Sequence, residues 1–150
     1  MRRIAPRRSI FFLWLIVLIG ASAPWIHASP SAVVAAASAF RGYLDSVTPK
    51  VDPDKRDDRV AMTRIIIADI GAQEKKLDGL WQMHLRNPDE RYRLRFVQDC
   101  LADLEKDVRS ALDEKIWVEG VDAKTIRTSA DAVLSAMAEF RDEVSEAYKR

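Results

Sequence analysis

The stretch that decides the fold is IRTSADAVLSAMAEFRDEVSEA, residues 126–147. Its apolar residues alternate steps of four and three across three heptads, and they are Ile126, Ala130, Val133, Met137, Phe140, Val144 and Ala147. Steps of this size place side chains on one side of an α-helix. Because their mean spacing keeps the apolar line facing a neighbouring helix, the pattern predicts a helix over about 123–149 that packs lengthwise in a bundle.

Three earlier segments carry similar spacing and predict helices over about 31–47, 55–86 and 88–115. The apolar line of the first consists of Val33, Ala37, Phe40, Leu44 and Val47. The line of the second consists of Ile66, Ile70, Gln73, Leu77, Leu80, Trp81 and His84. The line of the third consists of Leu94, Val97, Leu101, Leu104, Val108 and Ala111, widened by Phe96, Cys100 and Leu112. Each predicted helix therefore has one face to bury.

Two breaks separate the first three predicted helices. Residues 48–53 carry two prolines, and each removes a backbone N–H donor, so the chain turns there. Asn87 is predicted to cap the third helix, with Pro88 at its first position and Glu90 completing a capping box. We therefore expect the third helix to begin at Pro88.

The last connection is also short, which sets the topology. Gly120 ends it, and Asp122 is predicted to cap the fourth helix. Since the connections at 86–88 and 119–122 are short, the last three helices must alternate in direction. The sequence predicts an all-α fold, an up-and-down antiparallel bundle of about four helices.

The N-terminal segment, 1–28, has the pattern of a signal peptide. Four arginines precede an unbroken apolar run at 10–19, and small residues follow it. We expect cleavage near Ala28, a helical domain at 29–150, and a secreted, extracellular protein. Two alternatives are open: the apolar segment stays attached as a membrane anchor, or Arg7 and Arg8 begin a twin-arginine export signal.

The charge of the chain argues against nucleic-acid binding. The 150 residues contain 24 Lys plus Arg against 23 Asp plus Glu. The segment 1–28 holds four of the bases and none of the acids, so 29–150 is left with a net charge of −3. A mildly acidic domain lacks the basic surplus that gives affinity for nucleic acid. The single cysteine cannot form an internal disulfide, and the length fits one modest domain and not a multidomain enzyme.

No group of residues after the signal has the pattern of an active site. His84 is the single histidine there, and no Ser or Cys nucleophile motif accompanies it, so a structural role is preferred. Residues 52–58 lack the central glycine and the closing glutamate of a calcium loop. Acids on the third predicted helix alternate with bases as on a solvated face, and they are Asp99, Asp103, Asp107 and Glu114 with Lys106, Arg109 and Lys115. We predict no enzyme activity, no cofactor, and no catalytic, cofactor-binding or metal-binding residues.

Cys100, Trp81 and Trp117 each have a structural interpretation. Cys100 lies on the apolar side of the third predicted helix and is expected to be a small buried side chain. The alternative is a disulfide between two chains of a homodimer. Both tryptophans are expected in the core or at the end of the bundle, and Trp117 is alternatively an exposed contact.

The middle of the chain resembles the plant invertase and pectin methylesterase inhibitor family over roughly residues 40–148. One similar stretch is Arg95-Phe96-Val97-Gln98-Asp99-Cys100-Leu101, where the family has an Asp-Cys step in a helix. Another is Val133-Leu134-Ser135-Ala136-Met137, which is similar to the family's Leu-Ser-Ala-Ala stretch. The family pattern has four cysteines, of which Cys100 alone matches, and the position of its partner falls near Val144.

The resemblance implies an exported helical bundle that inhibits a cell-wall enzyme by protein–protein contact. The implied partner is a pectin methylesterase or an acid invertase, with pectin methylesterase preferred, and the implied location is the apoplast. The alternative is a membrane-tethered or periplasmic helical structural protein without inhibitor activity. Membrane contact in that case requires that the N-terminal segment stay attached.

Overall fold

A computed structural model describes residues 29–50 and 57–150. These residues form four α-helices and one 3₁₀ turn: α1 at Pro30–Val47, α2 at Asp58–Arg86, α3 at Tyr92–Ala111, the 3₁₀ turn at Glu114–Ile116 and α4 at Ala123–Lys149. The described residues contain no strand, and the predicted all-α fold is confirmed. The predicted signal peptide, and most of the segment 52–58, lie outside the described residues.

The four helices form an up-and-down bundle in which α1 and α3 each pack against both α2 and α4. Contacts at the two ends give the directions. Arg93, near the start of α3, donates to the carbonyl of Met83 near the end of α2, at 2.7 Å. The Tyr43 hydroxyl, near the end of α1, accepts from the backbone N–H of Asp122 just before α4, at 2.7 Å. Neighbouring helices are therefore antiparallel.

The core lies along the bundle axis and is built from the apolar lines of all four helices. Side chains with no exposed surface include Val33, Phe40, Ile70, Leu94, Leu101, Ile126 and Met137. Near one end the Trp81 ring meets the edge of the Phe140 ring, with centroids 4.9 Å apart. Aromatic pairs in this geometry stabilise a core beyond their buried area.

Two residues depart from the predicted lines. Glu74 and not Gln73 takes the inward position on α2, since Glu74 is buried and Gln73 is half-buried. Phe96 was expected to widen the apolar face of α3, but 49% of it is exposed. Both departures concern side chains at the boundary between the inner and outer faces, where a small rotation of a helix decides which neighbour is buried.

The third helix begins at Tyr92 and not at the predicted Pro88. Asn87 does not cap it. Its backbone N–H donates to the carbonyls of Met83 and His84, both at 3.2 Å, so Asn87 ends α2. The backbone N–H of Glu90 then donates to the carbonyl of Asn87 at 3.1 Å, which closes a turn and not a capping box. The predicted start was wrong because the chain forms turns over 87–91 before α3 begins at Tyr92.

Of three other helix ends, one agrees with the sequence prediction and two differ from it by a few residues. Within the described residues α2 begins at Asp58, not at 55, and the Asp57 carboxylate accepts from the backbone N–H of Arg59 at 2.9 Å. The predicted cap of α4 is confirmed, because Asp122 accepts from the backbone N–H of Thr125 at 2.7 Å. At the end of α3 the prediction of Lys115 was wrong, since α3 stops at Ala111.

Candidate functional site

His84 lies where α2 ends and α3 begins, on the inner line as predicted. Its side chain is buried, its ring centroid lies 5.3 Å from that of Trp81, and its Nδ1 has no hydrogen-bond partner among the described residues. Burial, followed by the positive charge of Arg93, lowers the pKa of His84 below its ordinary value. The neutral ring is thus favoured, and it packs as part of the core.

Cys100 is also buried, as predicted. Its Sγ donates to the side-chain Oε1 of Gln73 at 3.2 Å, and the residue has no exposed surface. Burial raises the pKa of the thiol to about 11. The thiol is therefore protonated at neutral pH and joins α3 to α2. A disulfide to a second chain would require this contact to open, so the structure does not favour a homodimer linked through Cys100.

The two tryptophans considered above occupy the core and its edge. Trp81 is buried, and Trp117 is half-buried in the connection between α3 and α4. The Trp117 indole N–H donates to the carbonyl of Ala111 at 2.9 Å, which caps the end of α3. The guanidinium of Arg127 lies 5.8 Å from the Trp117 ring centroid. Trp117 thus closes one end of the bundle.

A partly buried ion pair between α1 and α2 was not anticipated from the sequence. Arg41 donates from Nε to Oε1 of Glu74 at 3.2 Å and from Nη2 to Oε2 at 3.1 Å. The Glu74 side chain is 9% exposed and that of Arg41 is 37% exposed. This bidentate geometry favours Arg over Lys. The pair ties the two helices together and leaves no free group for chemistry.

Two acids of α3 and the following turn, Glu105 and Glu114, form ion pairs that were not predicted from the sequence. Glu105 pairs with Arg109 at 2.8 Å and with Arg141 of α4 at 2.6 Å. These two arginines lower the pKa of Glu105. Glu114 pairs with Arg127 at 2.6 Å. These acids have cationic partners and need no other ligand.

Three other carboxylates stand apart from these pairs. Asp107 of α3 lies within charge range of Asp69 of α2, of Asp103 one turn earlier and of Lys106, and both Asp69 and Asp103 are exposed. Burial, and then the negative charges of Asp69 and Asp103, raise the pKa of Asp107. Within the described residues no salt bridge joins any of the three to a cation. The structure therefore brings together acids from two helices that the sequence shows far apart.

Exposed apolar side chains gather beside these carboxylates. Seven large apolar residues in the described part of the chain are between 44% and 58% exposed, and they are Met62, Ile65, Met83, Leu85, Tyr92, Phe96 and Tyr148. Six of the seven belong to α2 or α3. The Tyr92 and Phe96 rings meet edge to face, with centroids 6.1 Å apart. Arg93, which bonds the carbonyl of Met83, also lies 5.8 Å from the Tyr92 ring centroid.

Helical spacing shows that most of these residues share one outer face. Phe96 is one turn before Cys100, which contacts Gln73, so this side of α3 faces α2. Lys76 and Leu80 follow Gln73 by three and seven positions and lie on the side of α2 that faces α3. We call this face the α2–α3 surface. It consists of Met62, Ile65, Asp69, Lys76, Leu80 and Met83 of α2 and of Tyr92, Phe96, Asp103 and Asp107 of α3.

The α2–α3 surface has an ordered pattern along its length. Met62 and Ile65 lie at the end near the 3₁₀ turn, and Met83 with Tyr92 and Phe96 lies at the opposite end. The three carboxylates lie between them with Lys76, and Arg93 lies beside Tyr92 and Met83. Exposed apolar side chains that lie in groups on a folded domain mark a binding surface more often than single ones do.

The described residues hold neither a cluster of metal ligands nor a membrane-length helix. Across 29–50 and 57–150, no group of three or more His, Cys, Asp or Glu side chains is placed to hold a metal ion. Over the same ranges, no helix combines the length and the apolar character needed to span a membrane.

Comparison with known proteins gives no counterpart of the α2–α3 surface. No protein-family model, no curated protein and no solved structure matches this chain.

Proposed function

We propose that this protein is exported, is not an enzyme, and inhibits a cell-wall enzyme by docking on it, with pectin methylesterase as the first target and acid invertase as the second. The observation that carries the docking role is the α2–α3 surface, which holds five of the seven large exposed apolar residues of the described chain. Aromatic side chains are enriched at the centres of protein interfaces. Tyr92 and Phe96 are the two aromatic residues of this surface.

The choice of target comes from the resemblance to the inhibitor family. The stretch around Asp99 and Cys100 that resembles the family lies in α3, and α3 provides one side of the α2–α3 surface. Cys100 itself is buried behind this surface, so it supports α3 and is not part of the contact. Phe96 belongs to the same stretch and is 49% exposed, which makes it the residue of that stretch best placed to touch a partner.

The test is inhibition by the purified protein, with variants that separate docking from folding. The full chain is expressed in a host that exports it, and the accumulated form is titrated against pectin methylesterases and acid invertases while residual activity is followed. We expect dose-dependent loss of one activity. The variants Tyr92→Ala and Phe96→Ala should each weaken inhibition at least about tenfold, as expected for aromatic residues central to an interface.

A matched control keeps this test specific. Tyr148 of α4 is an aromatic residue with the same 49% exposure as Phe96, and it lies outside the α2–α3 surface. Tyr148→Ala should inhibit as the original protein does, and circular dichroism should show equal helix content in all variants. Inhibition that is unchanged by Phe96→Ala, or absent with well-folded protein, would refute the proposal.

A second candidate rests on the apolar segment at 10–28, which carries no charge and approaches the length of a membrane span. In this candidate the segment stays attached, and the bundle is a membrane-tethered or periplasmic interaction protein without inhibitor activity. The intact mass of the accumulated protein separates the two candidates, because loss of residues 1–28 eliminates the tether.

A further inference from the structure

Three segments of the chain meet at one end of the bundle. The turn between α2 and α3 lies there beside the last turn of α4, since residues of both line one cavity. These residues are His84, Pro88, Asp89, Arg91, Ala147 and Arg150. The start of α1 lies there as well, because Arg64 near the start of α2 donates to the carbonyl of Pro49 just after α1, which makes the two helices antiparallel. We call this end the Ser29 end, and it comprises 29–33, 83–96 and 146–150.

Large exposed apolar side chains are concentrated at the Ser29 end. Five of the seven in the described chain belong to it, and they are Met83, Leu85, Tyr92, Phe96 and Tyr148. Tyr92 is the first residue of α3, and helical side chains lean toward the start of their helix, so Tyr92 extends toward the end of the bundle. Leu85 and Tyr148 belong to the last turns of α2 and α4. Three helices therefore contribute apolar groups to this end.

The charge of the Ser29 end is opposite in sign to that of the rest of the domain. Its side chains include six Lys or Arg and three acids, whereas the remainder of 29–150 has fourteen Lys or Arg and twenty acids. Glu90 pairs with Arg93 at 2.5 Å. Glu146 pairs with Lys149 at 2.8 Å and lies within charge range of Arg150. Asp89 is the third acid.

Most arginines of the Ser29 end have no partner of this kind. Four of them are exposed and form no salt bridge within the described residues, and they are Arg86, Arg91, Arg95 and Arg150. Asp89 is the one acid of this end without a salt bridge in the same part of the chain. The Ser29 end thus combines exposed apolar groups with a local excess of positive charge.

The sequence before α1 leads to the same end. The uncharged apolar segment 10–28 finishes directly before Ser29, and Pro30 is the first residue of α1. A bilayer that takes up this segment, whether as a retained anchor or during export, therefore lies next to the Ser29 end. Tyrosine rings favour the headgroup region of a bilayer, and Lys or Arg near its surface is attracted to anionic lipids.

We propose that the Ser29 end binds the surface of an anionic phospholipid bilayer. The rings of Tyr92 and Tyr148 and the side chain of Leu85 enter the headgroup region, and the unpaired arginines contact lipid phosphates. The same surface repels the acidic remainder of the domain, which orients the bundle. This inference goes beyond enzyme inhibition and does not depend on it, since Leu85, Tyr148 and the four arginines lie outside the α2–α3 surface.

The experiment places an environment-sensitive fluorescent label at the Ser29 end. The full chain carrying Leu85→Cys is expressed for export, and the accumulated form is labelled while Cys100 stays buried. Met62→Cys is the matched control, because Met62 is an exposed apolar residue near the opposite end of α2. The labelled proteins are mixed with vesicles of phosphatidylcholine alone or of equal parts phosphatidylcholine and phosphatidylglycerol. A form that retains residues 1–28 is reconstituted into the same two kinds of vesicle.

We expect the anionic vesicles to shift the emission of the Leu85 label to shorter wavelength, and high salt to reverse the shift. The neutral vesicles should give a much smaller shift, and the Met62 label should not respond. Tyr148→Cys tests the same end from α4 and should respond as Leu85→Cys does. Equal responses of the Leu85 and Met62 labels, equal responses to the two kinds of vesicle, or no response at Leu85 and Tyr148 would overturn the inference.

Charge variants of the labelled protein locate the contact. Arg86→Gln/Arg91→Gln removes two unpaired arginines and should raise the amount of anionic lipid needed for half of the shift by about tenfold to thirtyfold. Lys75→Gln/Lys124→Gln removes the same charge from two exposed lysines outside the Ser29 end and should leave that amount nearly unchanged. Equal effects of these two double variants, at equal helix content by circular dichroism, would contradict binding through this end.

Discussion

Replacement of Arg41 by Met should destabilise the bundle, because it leaves the Glu74 carboxylate buried without its partner. Removal of one member of a buried ion pair typically costs about 3–5 kcal/mol. Arg41 is 37% exposed on its side chain, so water reaches part of the pair and the cost is smaller. We expect Arg41→Met to lower the free energy of unfolding by about 2 kcal/mol.

The assay is urea unfolding followed by circular dichroism. With a slope of roughly 2 kcal/mol per molar urea for a domain of this size, the midpoint should fall by about 1 M. Glu74→Met and the double variant Arg41→Met/Glu74→Met complete a double-mutant cycle. Because a buried pair replaced by apolar side chains is often neutral or stabilising, the double variant should recover at least half of the stability lost in Arg41→Met.

Two results would refute this reasoning. A midpoint unchanged by Arg41→Met would show that water already satisfies the Glu74 carboxylate. A double variant whose loss equals the sum of the two single losses would show that the side chains act independently, despite hydrogen bonds of 3.2 and 3.1 Å between them.

Three further predictions concern other residues. The pKa of His84 is lowered in the folded state from its ordinary 6.5. The stability that the neutral ring contributes is therefore present above pH 6.5 and is lost as the pH falls below that value. The difference between the urea midpoints at about pH 7 and about pH 5 should be smaller in His84→Gln than in the unsubstituted protein. The Cys100 thiol, with a pKa of about 11, should react with a thiol reagent at about pH 8 only at the rate of unfolding, and immediate reaction would contradict its burial. Gly79 lies within α2, and a Cβ there meets nothing within 4 Å, so Gly79→Ala should stabilise the protein by about 0.5–1 kcal/mol in the same urea assay.

The inner faces of the helices were predictable because burial follows a period. Ile126, Val133 and Phe140 recur at helical steps, and all three are buried. The cap at Asp122 was predictable as well, since an acid before an apolar helix has a short-range role that needs no tertiary contact. The buried helix faces and this cap depend on local geometry, so they could be predicted from the local sequence.

The turn between α2 and α3 shows where local rules compete. Asn87, Pro88 and Glu90 satisfy the rules for starting a helix, and Asn87 equally satisfies those for ending one. In the structure the backbone N–H of Asn87 donates to the carbonyls of Met83 and His84, so Asn87 caps the C-terminal end of α2. The cap position of α3 is Arg91, and the pattern of apolar residues does not say at which residue the turn ends and the helix begins.

The α2–α3 surface was beyond prediction for a different reason. Asp69 and Asp103 are far apart in the chain, and only the packing of α2 against α3 brings their negative charges together beside Asp107. Phe96 was expected to be an inward residue because aromatic side chains usually extend an apolar line. Whether a side chain at the boundary is buried or exposed depends on how the whole helix is rotated against its neighbours. The sequence of one helix alone does not determine that rotation.

The two faces of α3 are separate, so the docking proposed for the α2–α3 surface needs no unfolding of the bundle. Leu94, Val97 and Leu101 point inward with no exposed surface, and they complete the core without help from the outer face. Phe96 and Asp103 stand on the opposite side of the boundary and contribute little to that core. Selection for folding alone would favour polar, mixed-charge residues at these outer positions. An outer face with exposed apolar and acidic residues that the core does not require therefore supports the proposal that a partner binds there.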